Sequence, residues 1–155
     1  MDVQKARISD IDALVDLRIR YLTEDHGRLE EQEADAIAEK LPEYFRTHLN
    51  KDLFCYIVRD GKEMVSCAFL LIVEKPMSPA FINGRTGIVL NVYTCPACRR
   101  RGYAGRIIES LLSEAKKMEI SVIKLKATMD GYPLYRSAGF IEDSSKYRMM
   151  MWRNR

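Results

Sequence analysis

The residues most able to do chemistry lie in the run Arg99-Arg100-Arg101-Gly102-Tyr103-Ala104-Gly105-Arg106. It follows the apolar stretch Leu90-Asn91-Val92-Tyr93-Thr94 and opens a segment of helical periodicity. The first N–H groups of a helix lack internal partners and lie at the positive end of its dipole, so together they attract an anion. Small residues at Gly102, Ala104 and Gly105 would let a phosphate reach the main chain. Arg99, Arg100, Arg101 and Arg106 add charge beside it. The run contains neither Gly-x-x-x-x-Gly-Lys-Ser/Thr nor Gly-x-Gly-x-x-Gly, which excludes a P-loop and a dinucleotide fingerprint.

Overlapping this run is Cys95-Pro96-Ala97-Cys98, placed between a strand and a helix, where a redox dithiol could sit. A helix N-terminus and arginines would depress a thiol pKa, so thiol–disulfide exchange is one alternative. The order of elements does not fit a thioredoxin-like fold. A phosphate or nucleic-acid binding module using the arginines is another alternative, but no aromatic stacking platform accompanies them. A structural zinc site wants four ligands. Nothing in the spacing places Cys55 or Cys67 near Cys95, and His26 and His48 show no ligand spacing, so no metal is expected.

Arg99-x-x-Gly102-x-Ala104 resembles the pyrophosphate-binding motif Arg/Gln-x-x-Gly-x-Gly/Ala of the GNAT superfamily. Downstream, Pro133-Leu134-Tyr135-Arg136-Ser137-Ala138-Gly139-Phe140 resembles its Leu-Tyr-x-x-x-Gly-Phe segment. With the order of elements, the resemblance covers essentially the whole chain. It implies an N-acetyltransferase that uses acetyl-CoA as donor and an amine as acceptor. It also implies that the backbone of Val92, Tyr93 and Thr94 binds the pantetheine arm as a sheet edge does, and that residues 99–106 hold the pyrophosphate. A main-chain N–H near Val92 would polarise the thioester carbonyl.

The chemical task can be stated independently. An attacking alkylamine must lose a proton, its pKa being near that of lysine, about 10.4. A departing thiolate with a pKa of about 8.5 benefits from a donor. Tyr135 matches the tyrosine that often takes this role in the family, and a phenol with a pKa near 10 stays protonated at neutral pH. Asn91 either faces the acceptor or points to solvent. Glu24, Asp25 and His26 fall in a polar segment that in the family helps form the acceptor pocket, and acids there would attract a cationic amine. No general base is identifiable from the residues.

These groups must be positioned by the rest of the chain. At 155 residues, with 47% hydrophobic and 30% charged residues, it is long enough for one soluble domain spanning residues 1–155. A net charge of +3 argues against a general polyanion binder, so no nucleic-acid partner is expected. No apolar run is long enough to span a membrane and no signal-like stretch opens the sequence, so a cytoplasmic location is expected. A small-molecule amine is the expected partner, with a homodimer left open.

Periodicity predicts a strand at residues 3–8 and a capping box at Ser9-x-x-Asp12. A helix follows, with Ile11, Leu14, Leu17 and Tyr21 on its buried face. A polar loop over residues 23–35 leads to a second helix that Pro42 should break or kink. Residues 53–59 and 63–74 read as a hairpin around Asp60-Gly61, residues 86–94 as a strand and residues 102–118 as a helix. A strand at 122–127 and a short helix at 133–138 come next. Strands at 140–141 and 147–152 would close the chain, the latter packing its Met and Trp side chains into the core. The fold class is α/β with a mixed, mostly antiparallel sheet flanked by helices.

Overall fold

Alternating apolar residues build the sheet, and their two faces recruit different helices. A computed structural model, describing residues 2–154, contains β1 (Gln4–Lys5), α1 (Ile11–His26), α2 (Glu31–His48), β2 (Leu53–Asp60) and β3 (Glu63–Glu74). It continues with β4 (Arg85–Thr94), α3 (Tyr103–Lys117), β5 (Val122–Lys124) and α4 (Tyr132–Ser137). The strands lie in sequence order, antiparallel from β1 to β4, with β5 added parallel to β4. A parallel neighbour needs a crossover, and α3 supplies it. The expected fold class is the one observed.

Because successive strand residues point to opposite faces, β2 splits its side chains between two cores. Cys55 and Ile57 join Cys67, Phe69 and Tyr93 under α1 and α2, against Ile11, Leu14, Leu17, Phe45 and Leu49. Tyr56 and Val58 join Val65, Leu70 and Val89 under α3, against Tyr103, Ile107, Ile108, Leu111 and Ala115. Cys55 pairs across the hairpin with Phe69, and Cys67 with Ile57, so the two thiols are diagonal neighbours rather than direct partners. Each is a free cysteine.

Several expected boundaries move. The first strand shortens to Gln4–Lys5. The cap forms two residues earlier than expected: Asp10 accepts the Arg7 N–H at 2.8 Å, and Ser9 lies inside a 3-10 turn. α1 continues through residues 23–26, which were expected to be loop, and Thr23 hydrogen-bonds the Ile19 carbonyl at 2.8 Å. Glu24, Asp25 and His26 therefore ride on its last turn. α2 runs unbroken through Pro42. Phe45 and Leu49 beyond the proline, and Leu41 before it, pack on one core, which offsets the single lost backbone donor.

The largest correction lies at the end of the chain. Residues 140–141 and 147–152 form no strand, and Met149, Met150, Met151 and Trp152 are exposed rather than packed in the core. β5 itself stops at Lys124, three residues short of the expected strand.

Candidate functional site

The site starts with an irregularity in β4. β3 and β4 pair at Phe69–Leu90 and again at Cys67–Tyr93, so Asn91 and Val92 together face the single residue Ala68. This is a β-bulge, and Asn91 has φ of 56°, a conformation asparagine tolerates better than most residues. On the other side, β5 pairs only with Thr86, Gly87 and Ile88. Among the described residues, no strand pairs with that edge of β4 from Val89 to Thr94, leaving main-chain groups open to a ligand.

The Asn91 side chain points neither to solvent nor into the opening. It is 3% exposed; its Oδ1 accepts from Arg18 Nη1 at 3.1 Å, and its Nδ2 donates to Cys67 Sγ at 3.4 Å. The bulge turns the side chain inward, where Arg18 of α1 meets it. Burial pushes the Cys67 thiol up to about 12, so this sulfur is a neutral packing atom.

Beyond Thr94 the chain makes a 3-10 turn at Pro96–Cys98 and enters a loop in which Arg100 and Gly102 both take positive φ, 64° and 80°. Such left-handed residues curl successive N–H groups toward one side and make an anion-binding concavity. Among the described residues no side chain caps α3, and its first helical bond runs from the Arg106 N–H to the Gly102 carbonyl at 3.1 Å. The N–H groups of Tyr103, Ala104 and Gly105 thus precede the helical ladder. A Cβ built on Gly102 meets nothing within 4 Å, so the space above the loop is open.

Arg99 is spoken for within the fold. Its Nη1 and Nη2 bind Glu24 Oε1 and Oε2 at 2.8 and 2.6 Å, its Nε donates to the Thr94 carbonyl at 2.8 Å, and it lies over the Tyr93 ring. The hydrogen bonds from Arg99 hold the Glu24 carboxyl below the usual glutamate range. Arg106 lies 5.3 Å over the ring of Tyr103.

These elements enclose a cleft of about 800 Å³. One wall is Tyr21, Glu24 and Asp25 of α1; the floor is Val92, Tyr93 and Thr94. The loop contributes Cys98, Arg99, Arg100 and Gly102, and α3 contributes Tyr103, Ala104 and Gly105. Thr128, Asp130, Gly131, Leu134 and Tyr135 form the far wall. Tyr135 is 8% exposed and lines this wall of the cleft. Burial, with a smaller contribution from Tyr21, pushes its pKa up to about 12.

The fold therefore gathers most residues expected at the site, while Asn91, His26, Arg101 and Arg106 stay outside the cleft lining. It adds Tyr21, Thr128, Asp130 and Gly131. Gly131 had no sequence signal beyond its type. A Cβ there would sit 2.9 Å from Tyr135 Cε2, so the glycine lets the phenol ring close against the chain. Tyr21, which spacing places on the buried helix face, packs half-buried against the core under α1 and α2 and also lines the cleft. Among the described residues no cluster of His, Cys, Asp or Glu could hold a metal ion. Nor is any described helix long and apolar enough to cross a membrane.

An open strand edge running into an uncapped helix N-terminus fits a long ligand with an amide-bearing arm and a diphosphate, as coenzyme A has. The sequence matches the Acetyltransferase (GNAT) family over residues 11–140. The chain belongs to this family. It is an acyl-CoA-dependent N-acetyltransferase. The comparison with curated proteins gave no match. Among solved structures, a predicted acetyltransferase from Clostridium acetobutylicum, determined with acetyl-CoA, is 30% identical. That alignment covers 97% of this chain and 95% of the other, with a TM-score of 0.83.

More distant structures share the fold of this GNAT acetyltransferase. Glucosamine-6-phosphate N-acetyltransferase from Arabidopsis thaliana is 15% identical, with 99% and 98% of the two chains covered and a TM-score of 0.70. Aminoglycoside 6'-N-acetyltransferase from Acinetobacter haemolyticus is 18% identical, with 99% and 100% covered and a TM-score of 0.68.

Proposed function

We propose that this GNAT acetyltransferase transfers acetyl from acetyl-CoA to the primary amine of a small cationic molecule, with Tyr135 as the donor to the leaving sulfur. The observation that carries this reading is the cleft itself. Its one end has the features of a phosphate and amide site, and its lining also includes Tyr21, Asp25, Asp130 and Tyr135. A volume of about 800 Å³ falls in the range of small-molecule sites. By their names, two proteins of the same fold act on glucosamine-6-phosphate and on an aminoglycoside, both small amines.

In this reading the N–H groups at the start of α3 hold the diphosphate, and the open edge of β4 holds the pantetheine arm. When bound, acetyl-CoA supplies the activated acetyl group. A main-chain N–H at the Val92 bulge polarises the carbonyl under attack. Asp25 and Asp130 draw the cationic acceptor into the cleft. Glu24 contributes little to that field, since Arg99 neutralises it.

The Tyr135 hydroxyl stays protonated at every physiological pH. With a pKa of about 12 it stabilises a departing thiolate of pKa about 8.5 by hydrogen bonding and does not surrender its proton completely. The amine's proton leaves through the open mouth of the cleft to solvent.

The test is a panel of amines assayed by release of free thiol from acetyl-CoA. Small polyamines and amino sugars should turn over, and lysine-containing peptides should not. Turnover confined to peptides would overturn the acceptor class. No heat or thermal shift at saturating acetyl-CoA would overturn the donor site.

A further inference from the structure

Two arginines near the cleft are matched by acids: Arg20 of α1 pairs with Asp16 at 3.1 Å, and Arg99 with Glu24 at 2.6 Å. Arg18 of α1 is not. It is half-buried, and its Nη1 donates to the neutral Asn91 side chain at 3.1 Å. Among the described residues no carboxylate pairs with it, and its Nε and Nη2 have no partner. The sealed-off side-chain polar atoms that lack a partner among those residues belong to Tyr56 and Arg85, so the free nitrogens of Arg18 reach solvent. Nε and Nη2 form the edge with which a guanidinium grips a carboxylate through two parallel hydrogen bonds. A half-buried charge with no counter-charge is costly to keep in a fold.

The guanidinium stands beside the cleft. It lies 5.8 Å from the centre of the Tyr21 ring, and Tyr21 lines the cleft. Asn91, which it holds, immediately precedes Val92 of the cleft floor. Arg18, Tyr21 and Asp25 follow at i, i+3 and i+7 and so share one face of α1. Opposite charges therefore flank Tyr21, roughly 10 Å apart along the axis at about 1.5 Å per residue. Burial raises the Tyr21 pKa, with Asp25 adding to the rise and Arg18 opposing it, so both charges are felt at its hydroxyl.

We infer that the acceptor is an amine that also carries a carboxylate, and that Arg18 is the residue that recognises it. This rests on the small-amine reading above and narrows it to a basic amino acid. Its carboxylate takes Nε and Nη2 of Arg18, and a cationic group faces Asp25. Such a molecule is still cationic overall, and it supplies the counter-charge that the fold withholds from Arg18.

The experiment compares L-ornithine with putrescine, which differ by the α-carboxylate alone, through thiol release from acetyl-CoA. The wild type should favour ornithine in kcat/KM by about tenfold to a hundredfold, the worth of hydrogen bonds between charged groups. Arg18→Gln should abolish that preference by raising the KM for ornithine, while putrescine changes far less. Arg18→Lys should restore only part of it, having the charge without the fork. If Arg18 only props the Asn91 bulge, both substrates decline together and the ratio survives, which would overturn the inference. Equal use of the two amines by the wild type, or a preference for putrescine, would overturn it and leave the small-amine reading standing. Turnover of neither, with acetyl-CoA still bound, would overturn both.

Discussion

Arg99 and Glu24, 75 residues apart in sequence, form a two-pronged ion pair that ties the last turn of α1 to the loop entering α3. The arginine that carries the family motif therefore fastens two segments that both line the cleft. Both side chains are about half exposed, so solvent limits the pair to about 1 kcal/mol of stability or less.

If the pair positions the loop, Glu24→Gln and Arg99→Met should each raise the KM for acetyl-CoA several-fold with little change in melting temperature. The double variant should be no worse than either single one, because each single change already breaks the same contact. The Glu24 carboxyl lies below its usual range through the hydrogen bonds from Arg99. The pair's contribution is thus complete above the ordinary glutamate pKa and is lost as pH falls through the depressed value. Acetyl-CoA affinity measured against pH should show that acid limb in the wild type and not in Glu24→Gln.

Gly102 stands where the loop takes φ of 80° with open space above it. Gly102→Ala should cost roughly 1 kcal/mol of stability from the backbone conformation alone. It should weaken coenzyme A binding more, by at least about tenfold, since the added methyl occupies the phosphate approach. Calorimetric titration separates this from unfolding measured by denaturant. Equal affinity in the variant would remove the loop from the binding site.

Tyr135→Phe should lower kcat by roughly a hundredfold and leave the KM for acetyl-CoA nearly unchanged, as loss of a donor needed only in the transition state does. Gly131→Ala should move activity in the same direction, because its methyl would displace the Tyr135 ring. With the phenol pKa at about 12, the wild-type rate should show no loss attributable to Tyr135 below about pH 11. A basic limb that disappears in Tyr135→Phe at a lower pH would contradict this.

The bulge at Asn91 combines a left-handed backbone with a buried amide held by Arg18 and Cys67. Asn91→Ala should destabilise by about 2–3 kcal/mol, from backbone strain and the lost partner of a charged group. Asn91→Gly keeps the conformation and should be about 1 kcal/mol less harmful. Urea unfolding of both variants checks the order, and glycine no better than alanine would mean that the backbone carries no strain.

Tyr56 is fully buried, and among the described residues its hydroxyl has no hydrogen-bond partner. Tyr56→Phe should be neutral or stabilising by about 1 kcal/mol. Burial, with Glu114 nearby, keeps the hydroxyl protonated well above the ordinary tyrosine range. From about pH 10 upward the unfolded chain releases this proton while the fold retains it, so stability falls as pH rises. Melting curves above pH 10 should fall less steeply in the variant.

What the sequence determined by itself was everything local. The helix after residue 102, the glycine-bearing loop before it and the β2–β3 hairpin all depend on neighbours a few residues apart. Their periodicity and turn residues were readable, and with them the fold class and the family. The tertiary structure decided what depends on distant partners. Glu24 binds Arg99 across 75 residues, Arg18 draws Asn91 inward across 73, and Gly131 makes room for a ring that only the folded chain brings to it. The run at 147–152 marks the same limit. Its composition predicts a strand packed in the core, whereas in the fold its large side chains are exposed.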